Sequence, residues 1–265
     1  MKVMKLQIKV TKVLKLILFV FVTVGFTGCL DIYEKIDVKK DGSGTVTMDM
    51  DMSQMLEMLQ QYMGTEGMQK AGLTKMDTTI NMKDVLANAD SLSADKKAVL
   101  SPGSVHIRLD TAAKIFTTHM SFPFTSQNNL QKLYATLGDG SLGSAQLLKG
   151  LSGDEGGGPG GGPSPDINQF NGIYDFTCRD GLITKKVNAG KWKALQNDPQ
   201  LAQIKQAGQM GIEINYTTTI VLPRPVKKID NASAKLSDDK KTVVMKFNLI
   251  DAFDHPEQFG YSIEY

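Results

Sequence analysis

Apolar residues recur at every second position along much of this 265-residue chain. A period of two fits a strand covered on one face, and it fits no amphipathic helix. Leu30, Ile32, Ile36 and Val38 fall on one face of a first strand, and Val46, Met48, Met50 and Met52 on one face of a second. Asp41-Gly42-Ser43-Gly44 lies between them, a turn in which glycine supplies the positive φ. A second hairpin is predicted over Ser104–Thr111 and Lys114–Phe124. Its register is fixed by the pattern: Val105, Ile107 and Leu109 must share a face with Met120, Thr118 and Phe116, so opposed residue numbers sum to about 225. A third spans Gly172–Arg179 and Leu182–Val187, turning at Asp180-Gly181.

Between these hairpins the period changes. Met52, Met55, Leu56 and Leu59 recur at helical spacing, with Ser53 placed to cap them. Ser126 opens a helix with Leu130, Leu133, Tyr134 and Leu137 on one stripe, stopped by Gly138. Helical segments follow around Trp192 and Leu195, and from Asp198-Pro199 to Gly208. Three ββα units result, followed by strands at 212–222, 242–249 and 259–265. The predicted class is α+β: an antiparallel sheet built from ββα units with helices on one face. Ser152–Pro165 is a glycine- and proline-rich run that has nothing to bury. The reading is a single α+β domain over 29–265 with a flexible insertion at 152–165; the alternative is two subdomains, 29–151 and 166–265.

The N-terminus has a different grammar. Five lysines and no acid occupy residues 1–28, and the apolar run Leu16–Phe26 is too short to span a bilayer. A basic segment, a short apolar segment and small residues make a secretory signal. Phe26-Thr27-Gly28-Cys29 has the form of a lipobox, which predicts a signal peptide over 1–28, acylation at Cys29 with palmitate-type chains, and a stable membrane anchor. Cys178 is then the remaining thiol, without a disulfide partner. It shares parity with Tyr174 and Phe176, which predicts a buried structural side chain.

Beyond residue 28 the chain carries 25 basic against 28 acidic side chains. A mildly acidic surface has no footprint for nucleic acid. Gly156, Gly158 and Gly161 satisfy a GxGxxG count only inside a glycine run. Asp37 to Gly42 fails as a calcium loop, because Lys39 stands at the third position and Met48 at the twelfth. The hairpin register sets His106 opposite His119, with Asp110 too far along for a shared metal, so a solvated cross-strand pair is expected. No serine elbow, zinc-protease or kinase motif occurs, so neither catalytic residue nor cofactor is assigned.

Methionine is the unusual element. Nine of fourteen lie between Met48 and Met82. Met48, Met50, Met52, Met55 and Met58 have the spacing of core positions, and flexible thioethers also line surfaces that accept apolar ligands. They are therefore the candidate apolar ligand contacts. The same five thioethers suit copper(I), a soft cation.

A lipobox cysteine followed directly by a strand, a Lys-Lys-Asp-Gly-Ser-Gly turn (39–44) and a second strand resembles the LppM-like group of bacterial envelope lipoproteins. The likeness rests on residues 29–52 and extends to the Ser121-Phe122-Pro123-Phe124 strand end. The resemblance implies an α+β domain with an apolar, lipid-accepting groove and no enzymatic activity. The expectation is a non-enzymatic, lipid-anchored, periplasm-facing envelope protein that binds an apolar ligand or another envelope protein. Copper binding through 48–58 and a carboxylate-pair hydrolase are the alternatives.

Overall fold

The computed structural model describes residues 30–87, 89, 92–139, 167–209 and 213–265. The signal segment, Cys29 and the 152–165 insertion lie outside the described residues. Twelve strands and eight α-helices occur among those described, and the α+β class holds.

The first hairpin joins β1 (Leu30–Val38) to β2 (Gly44–Asp51), with Ile36 facing Val46 and Ile32 facing Met50. Gly42 adopts φ 81° in its turn. Gly44 is needed for closeness instead: a Cβ there would lie 1.9 Å from the Asp37 carbonyl oxygen. The chain then enters α1 (Ser53–Lys70), β3 (Lys75–Asn81), α2 (Met82–Ala87) and α3 (Ala94–Leu100). The second hairpin pairs β4 (Ser104–Asp110) with β5 (Ile115–Phe124) in the expected register, His106 opposite His119 and Val105 opposite Met120. The helix α4 (Gln127–Gly138) follows, its first turn capped by the Ser126 Oγ, which accepts from the Asn129 N–H at 3.1 Å.

After α5 (Ile167–Gly172) come β6 (Tyr174–Arg179) and β7 (Leu182–Val187), then α6 (Ala189–Leu195) and α7 (Pro199–Gln209). The chain finishes with β8 (Ile214–Val221), β9 (Lys228–Asp230), β10 (Lys235–Leu236), β11 (Thr242–Asn248), α8 (Leu249–Ala252) and β12 (Tyr261–Glu264).

The expected single sheet is two. The larger has the order β10-β11-β8-β1-β2-β5-β4-β3, and the smaller β6-β7-β12-β9. Pairing is antiparallel except between β1 and β8, which run parallel with Ile36 beside Ile220. The ββα plan also breaks at β3, an edge strand whose sequence KMDTTIN has too weak an alternation to announce itself. Ser53 does not cap α1; its Oγ instead accepts the Phe116 N–H at 3.1 Å, tying the helix to β5. Gly138 likewise does more than stop α4: a Cβ on Gly172 would stand 2.0 Å from the Gly138 carbonyl oxygen, so two bare glycines let α4 and α5 touch.

One buried cluster draws side chains from both sheets. Ile36, Val46, Phe122, Ile220 and Met245 of the larger sheet pack with Ile183, Tyr261 and Ile263 of the smaller, and with Leu130 and Leu133 of α4. A second cluster gathers Phe170, Tyr174, Tyr216, Phe253 and Phe259 under α7. Phe170 lies at its centre, edge-on to Tyr174, Phe253 and Phe259 at centroid distances of 5.0–5.5 Å, a favoured geometry for ring quadrupoles. Helix α1 packs on the inward face of the β3–β4–β5 edge. It lies across one end of the larger sheet, where Leu56 and Met68 meet Leu109, Met76 and Phe116.

Candidate functional site

The inward face of β1 contains one residue that alternation does not excuse. Glu34 stands between Ile32 and Ile36 and is 2% exposed. A carboxylate so enclosed needs partners. It has two: the Tyr134 hydroxyl of α4 donates to Oε1 at 2.7 Å, and the Thr218 hydroxyl of β8 donates to Oε2 at 3.1 Å. Lys185, from β7 of the other sheet, is equally buried. Its Nζ donates to Asn171 Oδ1 at 3.0 Å and lies 4.8 Å from the centre of the Tyr174 ring. Glu34 and Lys185 make no direct ion pair but feel each other's charge: burial lowers the lysine pKa, and Glu34 partly opposes the shift.

Three phenols surround these charges. Burial, with the Glu34 charge second, raises the pKa of Tyr134, Tyr216 and Tyr261 well above the usual phenol value. The Tyr261 hydroxyl has no hydrogen-bond partner, and the Tyr216 hydroxyl, though close to Asn171 and Glu34, makes no bond of normal geometry.

Lys185 and Tyr261 also line a groove of 740 Å³ between the two sheets, within the size range of small-molecule sites. Val187, Ala232 and Phe247 supply apolar wall, while Asp230, Asp251 and Glu257 stand at exposed positions around it. One wall is held by Asn231, whose Nδ2 donates to the carbonyls of Gln258 at 2.9 Å and Gly260 at 2.8 Å. Phe247 is braced from behind by Phe259, stacked at 4.2 Å.

The five methionines stand in different environments. Met48 and Met50 are half-buried and pack against both apolar clusters. Met52 and Met55 are half-buried at the start of α1, and Met58 is exposed on that helix. None of them lines the inter-sheet groove. Strand alternation sends the first pair inward, whereas the helix carries Met58 outward.

The histidines pair across β4 and β5 as expected, but each takes a different carboxylate. His106 Nε2 lies 2.7 Å from Asp77, and His119 Nδ1 lies 2.6 Å from Asp49. Asp110 instead accepts the Ala113 N–H at the turn. Among the described residues no group of three or more His, Cys, Asp or Glu converges for a metal. Cys178 is buried, and burial pushes its thiol up to about 12.

Sequence reasoning missed Glu34, Lys185 and the groove. The signal for Glu34 was present as a charged residue on an apolar face; the hydroxyls that satisfy it, of Tyr134 and Thr218, lie 100 and 184 positions away.

No protein-family model and no curated protein matches this chain. Among solved structures it is similar to the NMR structure of the folded domain of Mycobacterium tuberculosis LppM, at 9% identity and a TM-score of 0.35 over 92% of this chain and 94% of that one. That is a weak and distant resemblance, and no residue role is carried across it. Among the described residues no helix is long and apolar enough to cross a membrane.

Proposed function

We propose that this chain is a lipid-anchored envelope protein, acylated at Cys29, whose domain binds an apolar ligand in the groove between its two sheets without chemical turnover. The observation that carries the reading is the groove itself: Val187, Ala232 and Phe247 give it apolar wall, and the exposed Lys186 and Lys246 stand beside them. Such a site suits a molecule with an apolar body and a polar end. The ligand contacts therefore move from the methionines to these residues.

Binding fits better than hydrolysis. The acids of the groove, Asp230, Asp251 and Glu257, are all exposed. Acid–base hydrolysis by a carboxylate pair proceeds in a site closed to bulk water, and these three side chains stand open to it.

The test is native mass spectrometry with lipid extraction on the full chain purified from its host envelope. A co-purifying amphiphile is expected, and Ala232→Trp, which fills the groove from an exposed position, is expected to abolish it. A ligand-free mass for the unaltered chain, or an amphiphile retained by Ala232→Trp, overturns the groove assignment.

A further inference from the structure

Helix α1 carries an apolar stripe that the fold leaves open. Gly64, at φ 68° and ψ 170°, breaks the helix in two. Before the break, Met58 and Tyr62 are four residues apart, as are Leu59 and Met63, so the four lie together on one side of the helix. Tyr62 is 91% exposed and Met58 40%. Leu56, three and seven residues before Leu59 and Met63, borders the stripe and is buried against Leu109 and Phe116.

The position of this stripe narrows what covers it. Strand β1 begins at Leu30, and Asp31 pairs with Asp51, the last residue of β2. Met52 donates its N–H to the Phe116 carbonyl at 2.8 Å, and α1 starts at the next residue. The helix therefore crosses the end of the sheet at which Cys29 enters, one peptide bond from Leu30. The lysines nearby do not make a cationic patch: Lys114 pairs with Glu57 at 3.3 Å, Lys70 with Glu66 at 2.8 Å and Lys75 with Asp110 at 3.5 Å.

We infer that the first segment of α1 rests on the bilayer that holds the acylated Cys29, with Met58, Leu59, Tyr62 and Met63 buried in its surface. This rests on the anchor reading given above. The acyl chains hold the sheet end against the membrane, and the stripe is the apolar surface presented there. A second contact fixes the tilt of the domain, whereas a lipid chain alone leaves it free to swing. Because the lysines nearby are paired, the contact is apolar, and it does not depend on salt or on anionic lipid.

The experiment uses the full chain, acylated in its host and reconstituted into phosphatidylcholine vesicles. A nitroxide is placed at Tyr62→Cys or, as the distant control, at Lys40→Cys in the β1–β2 turn. Cys178 is buried and stays unlabelled. The nine residues of β1 set the two labels apart by about 30 Å at some 3.3 Å per residue. At position 62, relaxation by dissolved oxygen is expected to exceed relaxation by a water-soluble nickel chelate severalfold, with the reverse at position 40. Replacing Met58, Leu59 and Met63 by Gln is expected to return label 62 to the aqueous pattern, and raising the salt is not.

An aqueous label 62 on vesicles that still float the protein overturns the inference and leaves the anchor intact. Protein that does not float overturns the anchor, and the inference with it. Shielding of label 62 that vanishes on dilution within the bilayer assigns the stripe to a second copy of the chain, which also overturns it.

Discussion

At the scale of single residues, the costliest choice in this chain is the pair of buried charges. Glu34 and Lys185 come from different sheets, and each is held by neutral donors or acceptors while the other balances its charge at a distance. Removing one charge strands the other in a low dielectric, whereas removing both frees the core of a desolvation cost. Glu34→Leu is therefore expected to destabilise the fold by about 3–5 kcal/mol, and the double variant Glu34→Leu/Lys185→Met to recover most of that loss. Chemical denaturation of the four chains of the cycle measures it.

The surrounding phenols add a pH dependence. A phenol ordinarily ionises near pH 10, and Tyr134, Tyr216 and Tyr261 do so only well above it when folded. Between those values the folded chain binds more protons than the unfolded one. Stability is thus complete below about pH 10 and falls as the pH rises further. Ultraviolet titration is expected to show these phenolates appearing only together with loss of the folded circular dichroism signal; a gradual, reversible titration in the folded state contradicts the burial.

At the scale of elements, local chemistry did much of the placing. The 41–44 and 180–181 turns carry glycine where φ is positive, at Gly42 and Gly181. Ser126 caps α4, and Asn188 caps α6 by accepting from the Gly190 and Lys191 N–H groups. Close approach is the part that local rules did not announce. Gly138 and Gly172 are 34 positions apart, yet their backbones touch and leave no room for a methyl group. Gly172→Ala is expected to cost about 1–3 kcal/mol by overpacking, despite alanine's better helix propensity. Gly190→Ala, near only the tip of Asn188, is expected to change stability by under about 1 kcal/mol. Thermal unfolding of both variants makes the comparison.

At the scale of the whole molecule, what could be read in advance was whatever depends on neighbours in sequence. Alternation determined the hairpins, and the same alternation determined the β4–β5 register, because a slip of one residue turns every apolar side chain to water. Composition and spacing likewise placed Cys178 in the interior. The division into two sheets was invisible, since a strand's sequence records that one of its faces is covered and not by what. Strand β8 lies beside β1 from more than 180 positions away, and β12 enters the smaller sheet between β7 and β9. The groove follows from that arrangement, because its walls come from β7, β9, β11 and β12 and no local pattern couples them. The sequence by itself determined the strands, turns and inward faces, which obey short-range sterics and the period of the backbone. Only the tertiary structure decided that Glu34 would lie within reach of the charge of Lys185 and that α1 would bury Leu56 and Met68 while leaving Met58 and Met63 outward, because both depend on which distant surfaces compete to bury the same face.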